Sequence, residues 1–245
     1  MKTLGLIGGM SWESSIPYYR QINEAVKHAL GGLHSAKIIL FSVDFHEIEV
    51  LQRRGDWDAA GEILAQAAQA LERAGADAIV LCTNTMHKVA GTIEAAVKIP
   101  LLHIADPTAT KIRSQGLQTI GLLGSRFTME QAFYKDRLRQ QHGLKVLIPN
   151  EADCAIIHRI IYDELCLGII RESSRQDYLR IMSALIESGA EGIILGCTEI
   201  SLLVHNGDVA VPLFDTTSLH ARAAADWALK PCEMTSSATA TATAN

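Results

Sequence analysis

Short apolar runs and longer stretches of helical period alternate along this chain. Runs of strand length stand at TLGLIG (3–8), KIILFSV (37–43), AIVLC (78–82), PLLHIA (100–105), QTIGLLG (118–124), KVLIP (145–149), GIILGC (192–197) and VPLF (211–214). Between most of them lie segments such as SIPYYRQINEAVKHAL, AAGEILAQAAQALERAG and SRQDYLRIMSALIESG, bounded by serine, aspartate or glycine, whose apolar residues recur at helical intervals. Strand, helix, strand, helix predicts an α/β fold of parallel sheets covered by helices. Ligands in such folds sit beyond the carboxyl ends of the strands, where loops feed helix N-termini.

The pattern also repeats. Thr3–Gly8 (TLGLIG) matches Thr119–Gly124 (TIGLLG), and ALERAGADAIVLCTNT (70–85) matches ALIESGAEGIILGCTE (184–199), with Gly75 over Gly189 and no gap up to the loop. Two half-chains of similar α/β fold follow. We expect them to be related by a pseudo-dyad, with the active site in the cleft between them. The alignment sets Thr83 over Cys197, Asn84 over Thr198 and Thr85 over Glu199, each set following a strand end. A small molecule in the cleft would meet one group on each face. Cys82 does not replace Thr83, because adjacent strand residues point to opposite sides. The half-chain boundary is expected near Ile99–Pro100, with the chain returning near Pro212. The first domain would then comprise residues 1–99 plus 212–230 and the second residues 100–211, followed by a small-residue tail over 231–245.

Composition narrows the classes. The chain has 245 residues, 48% hydrophobic and 20% charged, with a formal net charge of -5 and no basic run or apolar stretch of membrane-spanning length. No nucleic-acid or membrane partner is expected, and the absence of a secretory-type start points to the cytoplasm. Five cysteines (Cys82, Cys154, Cys166, Cys197, Cys232) without a regular framework fit reduced thiols, and none has zinc-site spacing, so no metal is expected. GLIGG lacks dinucleotide-fingerprint spacing.

The glycine-rich first loop GLIGGMSWES, the first-half CTNTMH and the second-half GCTE together resemble the aspartate/glutamate racemase superfamily, the cofactor-independent racemases, over roughly residues 3–229. In that family two thiols flank the substrate α-carbon, one removing its proton and the other delivering a proton to the opposite face. Asn84, Thr85 and His87 match the first motif; Gly196, Cys197, Thr198 and Glu199 match the second. Thr83 stands where the first cysteine belongs. Decarboxylase relatives also keep only the second-half cysteine. The resemblance further implies a homodimer and a small amino-acid substrate, with no cofactor.

Elementary chemistry supports these residue types. An α-proton is weakly acidic, so without a cofactor local charge must stabilise the carbanion. A thiolate is a competent base near neutral pH if a helix N-terminus or cation lowers its pKa, and Cys197 at the start of an element is a candidate for that. Thr83 cannot be a strong base, yet its hydroxyl can relay a proton, directly or through water. Carried onto this chain, the family pattern implies L-face deprotonation by Cys197, reprotonation from the Thr83 side and an apparent L-to-D preference. Ser11, Asn84, Thr85 and Thr198 are candidates to hold the α-carboxylate. Met10 lines the pocket by resemblance or simply packs the core. Glu199 orients or protonates a substrate group, or is an acidic residue favourable at a helix N-terminus. His87 tunes the loop or bonds a helix end.

A side-chain carboxylate would want a cation. Gln52-Arg53-Arg54, read as a loop after the second strand, is the best-placed cluster, and the resemblance favours Arg53 with Gln52 beside it; a solvated helix start is the other reading. Cys166 stands where aspartate racemases often carry a lysine. The substrate is therefore L-aspartate, L-glutamate or an uncharged amino acid such as homoserine. A one-cysteine decarboxylase or isomerase, or a non-catalytic amino-acid-binding protein, remains the alternative to a racemase.

Overall fold

A computed structural model of the protein describes residues 1–231. The expected tail beyond Pro231, with Cys232, lies outside them. The first half runs β1 (Thr3–Gly8), α1 (Trp12–Leu30), β2 (Lys37–Ser42), α2 (Phe45–Arg54), α3 (Trp57–Arg73), β3 (Ala78–Leu81), α4 (Ala90–Ala96) and β4 (Leu101–Leu102). After α5 (Ala105–Ser114) come β5 (Thr119–Gly124), α6 (Arg126–Glu130), α7 (Ala132–His142), β6 (Lys145–Leu147), α8 (Glu151–Asp163), α9 (Glu172–Glu187), β7 (Ile193–Gly196), β8 (Leu213–Asp215) and α10 (Thr216–Leu229).

The strands form two four-stranded sheets, ordered β2-β1-β3-β4 and β6-β5-β7-β8, with every pairing parallel. The identical order is the structural form of the sequence repeat. In each half the central strand is fully apolar and buried, as a strand covered on both faces must be. The sheets extend slightly beyond the expected boundaries. β4 pairs with β3, so the first sheet reaches Leu102; β8 pairs with β7, so the second reaches Asp215.

Each sheet then sends its last helix to the other half. On α5, Ala105, Ala109 and Ile112 pack with Ile120, Leu122 and Ile194 of the second sheet. On α10, Ala221, Ala224, Ala225 and Ala228 pack with Leu4, Leu6 and Val80 of the first. The small residues of α10 let it lie close to α1, whose Tyr18, Ile22 and Val26 join the same cluster.

One stretch differs from its sequence reading. Gln52-Arg53-Arg54, expected in a loop or at a helix start, instead end the helix α2, which forms because the Asp44 carboxylate caps the His46 N–H and Gly55 closes the end at φ 73°. The helix turns Ile48 and Gln52 inward and leaves Arg53 outside.

Three buried histidines hold the crossover after β4. His220 Nε2 donates to the Leu102 carbonyl (2.7 Å), so its Nδ1 accepts from the Tyr18 hydroxyl (2.9 Å). The Ile104 N–H donates to His87 Nε2, and the Ala105 N–H to His103 Nδ1, both at 3.2 Å. Burial holds all three pKa values below the usual imidazole range, to about 3 for His103 and about 4 for His220. In the unfolded chain these rings titrate near pH ~6.5. Below that pH the unfolded state binds protons that the folded state refuses, so the stability present above pH ~6.5 is lost as pH falls towards the folded values. Urea midpoints are expected to drop steadily between pH 7 and pH 4.5, with a shallower slope in His103→Asn; parallel slopes would contradict this account.

Candidate active site

The carboxyl ends of β3 and β7 face one pocket. Its lining includes Met10, Gln52, Thr83, Asn84, Thr85, Cys197, Thr198 and Glu199, and it encloses about 360 Å³ counted to its mouth. The two loops thus bring Thr83 and Cys197, aligned by the repeat, to the same space. After each strand the chain makes a short 3-10 turn, Thr85–Val89 in one half and Ile200–Leu202 in the other. Gly9 makes room at the first loop: its φ is 92°, and a Cβ there would run into the Val43 backbone.

Glu199 is the centre of the polar arrangement. Its Oε1 accepts from the Ser11 hydroxyl (2.8 Å), and its Oε2 from the Thr198 hydroxyl (2.6 Å) and the Cys197 thiol (3.0 Å). The carboxylate does not cap the following turn, so the helix-terminus reading of Glu199 is set aside. Ser11, read as a substrate-carboxylate donor, instead spends its proton on Glu199 from across the cleft.

The thiol is also differently poised from the expected thiolate. Enclosure by protein pushes the Cys197 pKa well above its ordinary value, and the negative charge of Glu199 adds to the effect. No cation among the described residues offsets it. Cys197 therefore rests as a thiol aimed at a carboxylate, and any base at this position arises by passing its proton to Glu199.

On the opposite face the Thr83 loop is pinned through its backbone. The Thr83 N–H donates to the Leu81 carbonyl (2.9 Å), and the Thr83 carbonyl lies 2.7 Å from His87 Nδ1. Cys82 is buried towards α1 and α10, away from the pocket, and burial raises its pKa. Asn84 Nδ2 donates to Thr216 Oγ1 (3.0 Å), whose own proton goes to the Leu195 carbonyl (2.8 Å). This fixes the amide orientation. Asn84 Oδ1 is left buried and without a partner among the described residues. The Thr85 hydroxyl crosses the cleft to Ser125 (2.8 Å) and Thr128 (3.3 Å).

The pocket gathers residues that sequence reasoning passed over, Phe45, Ser125, Ile161 and Tyr162, together with Cys166, which the resemblance had marked. Ser125 was accessible through the repeat, since it follows TIGLLG as Gly9 follows TLGLIG. Tyr162 and Cys166 come from α8 and the turn after it, which carry no motif. The Tyr162 hydroxyl donates to Gln52 Oε1 (3.0 Å), and Gln52 Nε2 points to Met86 Sδ (3.0 Å). Met10 satisfies both of its readings, being buried in the first-half core and exposed at the pocket wall. Arg53 is the correction: it pairs with Glu49 four residues back (2.7 Å), its side chain is 65% exposed, and it does not line the pocket. One helical residue separates it from Gln52, and that 100° turn (3.6 residues per turn) puts it on the outer face.

Among the described residues no cluster of three or more His, Cys, Asp or Glu suits a metal ion, and no helix is long and apolar enough to cross a membrane.

Two like-ordered parallel sheets closing on one pocket, with a thiol hydrogen-bonded to a buried carboxylate, define a two-lobed α/β enzyme. The chain belongs to the Asp/Glu/Hydantoin racemase family, whose profile matches residues 7–224, and is an isomerase of the amino-acid racemase type. It is similar to a Yersinia pestis protein provisionally designated an Asp/Glu racemase, whose crystal structure shares 63% identity at a TM-score of 0.88 and covers 94% of this chain and 100% of that one. An aspartate racemase homologue from Pyrococcus horikoshii OT3 matches at 35% identity and a TM-score of 0.81, with the same 94% and 100% coverage. The broad-specificity amino-acid racemase RacX of Bacillus subtilis (strain 168) is 22% identical over 234 residues, which cover 89% of this chain and 95% of RacX.

The thiol–carboxylate pair carries a test. Removing the Glu199 charge lowers the thiol pKa, so Glu199→Gln is expected to react with iodoacetamide at pH 8 several-fold faster than wild type, while racemase activity falls by about 10²-fold or more. Slower alkylation in the variant would contradict a charge-raised thiol.

Proposed function

We propose that the protein is a pyridoxal-independent amino-acid racemase in which Cys197 and Thr83 serve the two faces of the substrate α-carbon. The observation that carries this reading is their convergence on one pocket from equivalent loops, with the Cys197 thiol held on Glu199. An entering zwitterion brings an ammonium group, for which the unpartnered Asn84 Oδ1 is a ready acceptor. Seated nearer the sulfur than the carboxylate, its positive charge favours the state in which Glu199 has taken the thiol proton and the negative charge rests on Cys197. The thiolate then removes the α-proton from the L face. Hydroxyls of Thr85 and Ser125 are available to the α-carboxylate, and bind it more tightly as it becomes enolate-like, while the Thr198 proton stays on Glu199. The Thr83 hydroxyl gives its proton to the opposite face while taking one from solvent, so no alkoxide accumulates.

The asymmetry has a thermodynamic bound. Enantiomers are equal in free energy, so kcat/KM is the same in both directions, and an L-to-D preference resides in kcat and KM separately.

The lining favours an uncharged polar side chain such as homoserine's, because it offers Gln52, Tyr162, Cys166 and Met10 but no cation. A second reading, aspartate or glutamate, rests on Arg53 and Arg159, which flank the outer side of the Gln52–Tyr162 bond and would be reached if it opened. Exchange of the α-proton in D2O, followed by NMR with chirality in parallel, tests both. L-homoserine is expected to exchange and invert faster than L-aspartate or L-glutamate. Cys197→Ala is expected to lower exchange by about 10³-fold, and Thr83→Cys to raise kcat for the D form. Undiminished exchange in Cys197→Ala would sink the mechanism; a preference for aspartate or glutamate would select the second reading.

We also propose a cytoplasmic homodimer that covers the outer face of α1. Trp12, Ile16 and Tyr19 lie four and three residues apart on one stripe and are 60%, 47% and 55% exposed. Sedimentation should give a dimer that Trp12→Glu with Tyr19→Glu converts to monomer; a monomeric wild type would end this proposal.

A further inference from the structure

The three buried histidines serve the fold, but one of them also touches the loop that carries Thr83. His87 is buried and does not line the pocket. Its ring nevertheless spans from the catalytic loop to the crossover after β4. Nε2 accepts the Ile104 N–H at 3.2 Å, and a nitrogen that accepts carries no proton. The neutral ring must then hold its proton on Nδ1, which faces the Thr83 carbonyl at 2.7 Å. His103 lies against the ring at a tilt of 57° with centroids 4.3 Å apart, and His220 meets it edge-on at 6.0 Å, so the imidazole is packed on two sides.

The loop itself leaves Thr83 little freedom. Its N–H is tied to the Leu81 carbonyl and its C=O to His87, and the His87 N–H closes the turn on the Asn84 carbonyl (3.1 Å). With both peptide groups held, the direction of the Thr83 side chain follows from the carbonyl that His87 fixes. The Thr83 hydroxyl has no hydrogen-bond partner in the protein among the described residues, so no contact of its own aims it.

We propose that His87 is a positioning residue for proton delivery on the Thr83 face, acting through its Nδ1–H bond to the Thr83 carbonyl. This rests on the reading of Thr83 given above. Removing the donor leaves the Cys197 face intact and lets the Thr83 hydroxyl drift, and a misplacement of about 1 Å is enough to cost on the order of 10²-fold in a proton transfer.

The readout is the partition of the carbanion. With an L substrate in D2O, return from the Cys197 face gives deuterated L product, and capture from the Thr83 face gives deuterated D product. His87→Phe is expected to lower the inversion-to-exchange ratio about tenfold or more, with a much smaller fall in exchange. His87→Asn, whose side-chain NH2 can reach the same carbonyl, should recover most of the ratio although it loses the Ile104 contact. Thr83→Val separates the two claims: if it leaves the ratio unchanged, Thr83 is not the donor and both fall; if it lowers the ratio while His87→Phe does not, only the role of His87 falls. Exchange and inversion declining in parallel in both His87 variants would mark a merely structural residue and overturn the proposal. The wild type gives an independent check that needs no variant. Nitrogen-15 NMR of labelled histidine should find His87 protonated on Nδ1 and bare on Nε2 at pH 7; the opposite tautomer would overturn it.

Discussion

A single buried carboxylate, Glu199, holds the cleft together. An ionised carboxylate removed from water must be compensated by donors, and here they come from both halves: Ser11 from the first, Thr198 and Cys197 from the second. The bond from Ser11 spans 188 positions of sequence and fixes one lobe against the other at the depth of the pocket. Two further cross-cleft contacts, Thr85 with Ser125 and Gln52 with Tyr162, are bonds between neutral groups and individually weaker. Because the thiol is one of the three donors, the interaction that closes the lobes is the same one that determines the proton on Cys197. Geometry and acid–base state are set by one group.

That coupling is invisible in the sequence, which singles out Cys197 but not the carboxylate that holds its proton. Cys197 is identifiable because GCTE stands where the repeat places it. Its environment is not, since a helix N-terminus and a buried carboxylate leave the same letters in the sequence. Glu199 two residues on is as compatible with a helix-end charge as with a proton acceptor. Only the fold brings Ser11 against it. The repeat was legible because strand-length apolar runs and the glycines at 75 and 189 recur at nearly constant separation. Residues 45–54 were not, because HEIEV reads as neither a clean strand nor a clean helix until the Asp44 cap and the Gly55 stop are given weight. Arg53 and Gln52 show the resolution such reasoning has: neighbours in sequence, on opposite faces of one helix turn. Tyr162 had no chance of recognition, since α8 reaches the pocket through packing on the second-half core and carries no repeated or motif residue; Cys166, in the turn after it, is marked only by the resemblance.

Thr83 illustrates how an altered residue can leave a site asymmetric. A cysteine on each face would make the two halves chemical equals. Under the proposed mechanism, a hydroxyl in place of one thiol keeps a proton-bearing group at the position but makes it a much weaker base, so the two loops specialise despite their common geometry. The backbone anchoring of Thr83, at Leu81 on one side and His87 on the other, is independent of the side-chain identity.

The exchanged helices α5 and α10 carry a consequence for how such a chain can be divided. Each leaves the sheet that precedes it and lies on the other, burying alanines and isoleucines there. A cut between the two sheets would strip each fragment of the helix that shields its strands, leaving an apolar sheet face open to water. Cut between α5 and β5, the two fragments would instead complete one another, since each carries the helix that the other lacks. The linear chain is therefore arithmetically two units and mechanically one. A covalent link has replaced what would otherwise be an association between separate molecules.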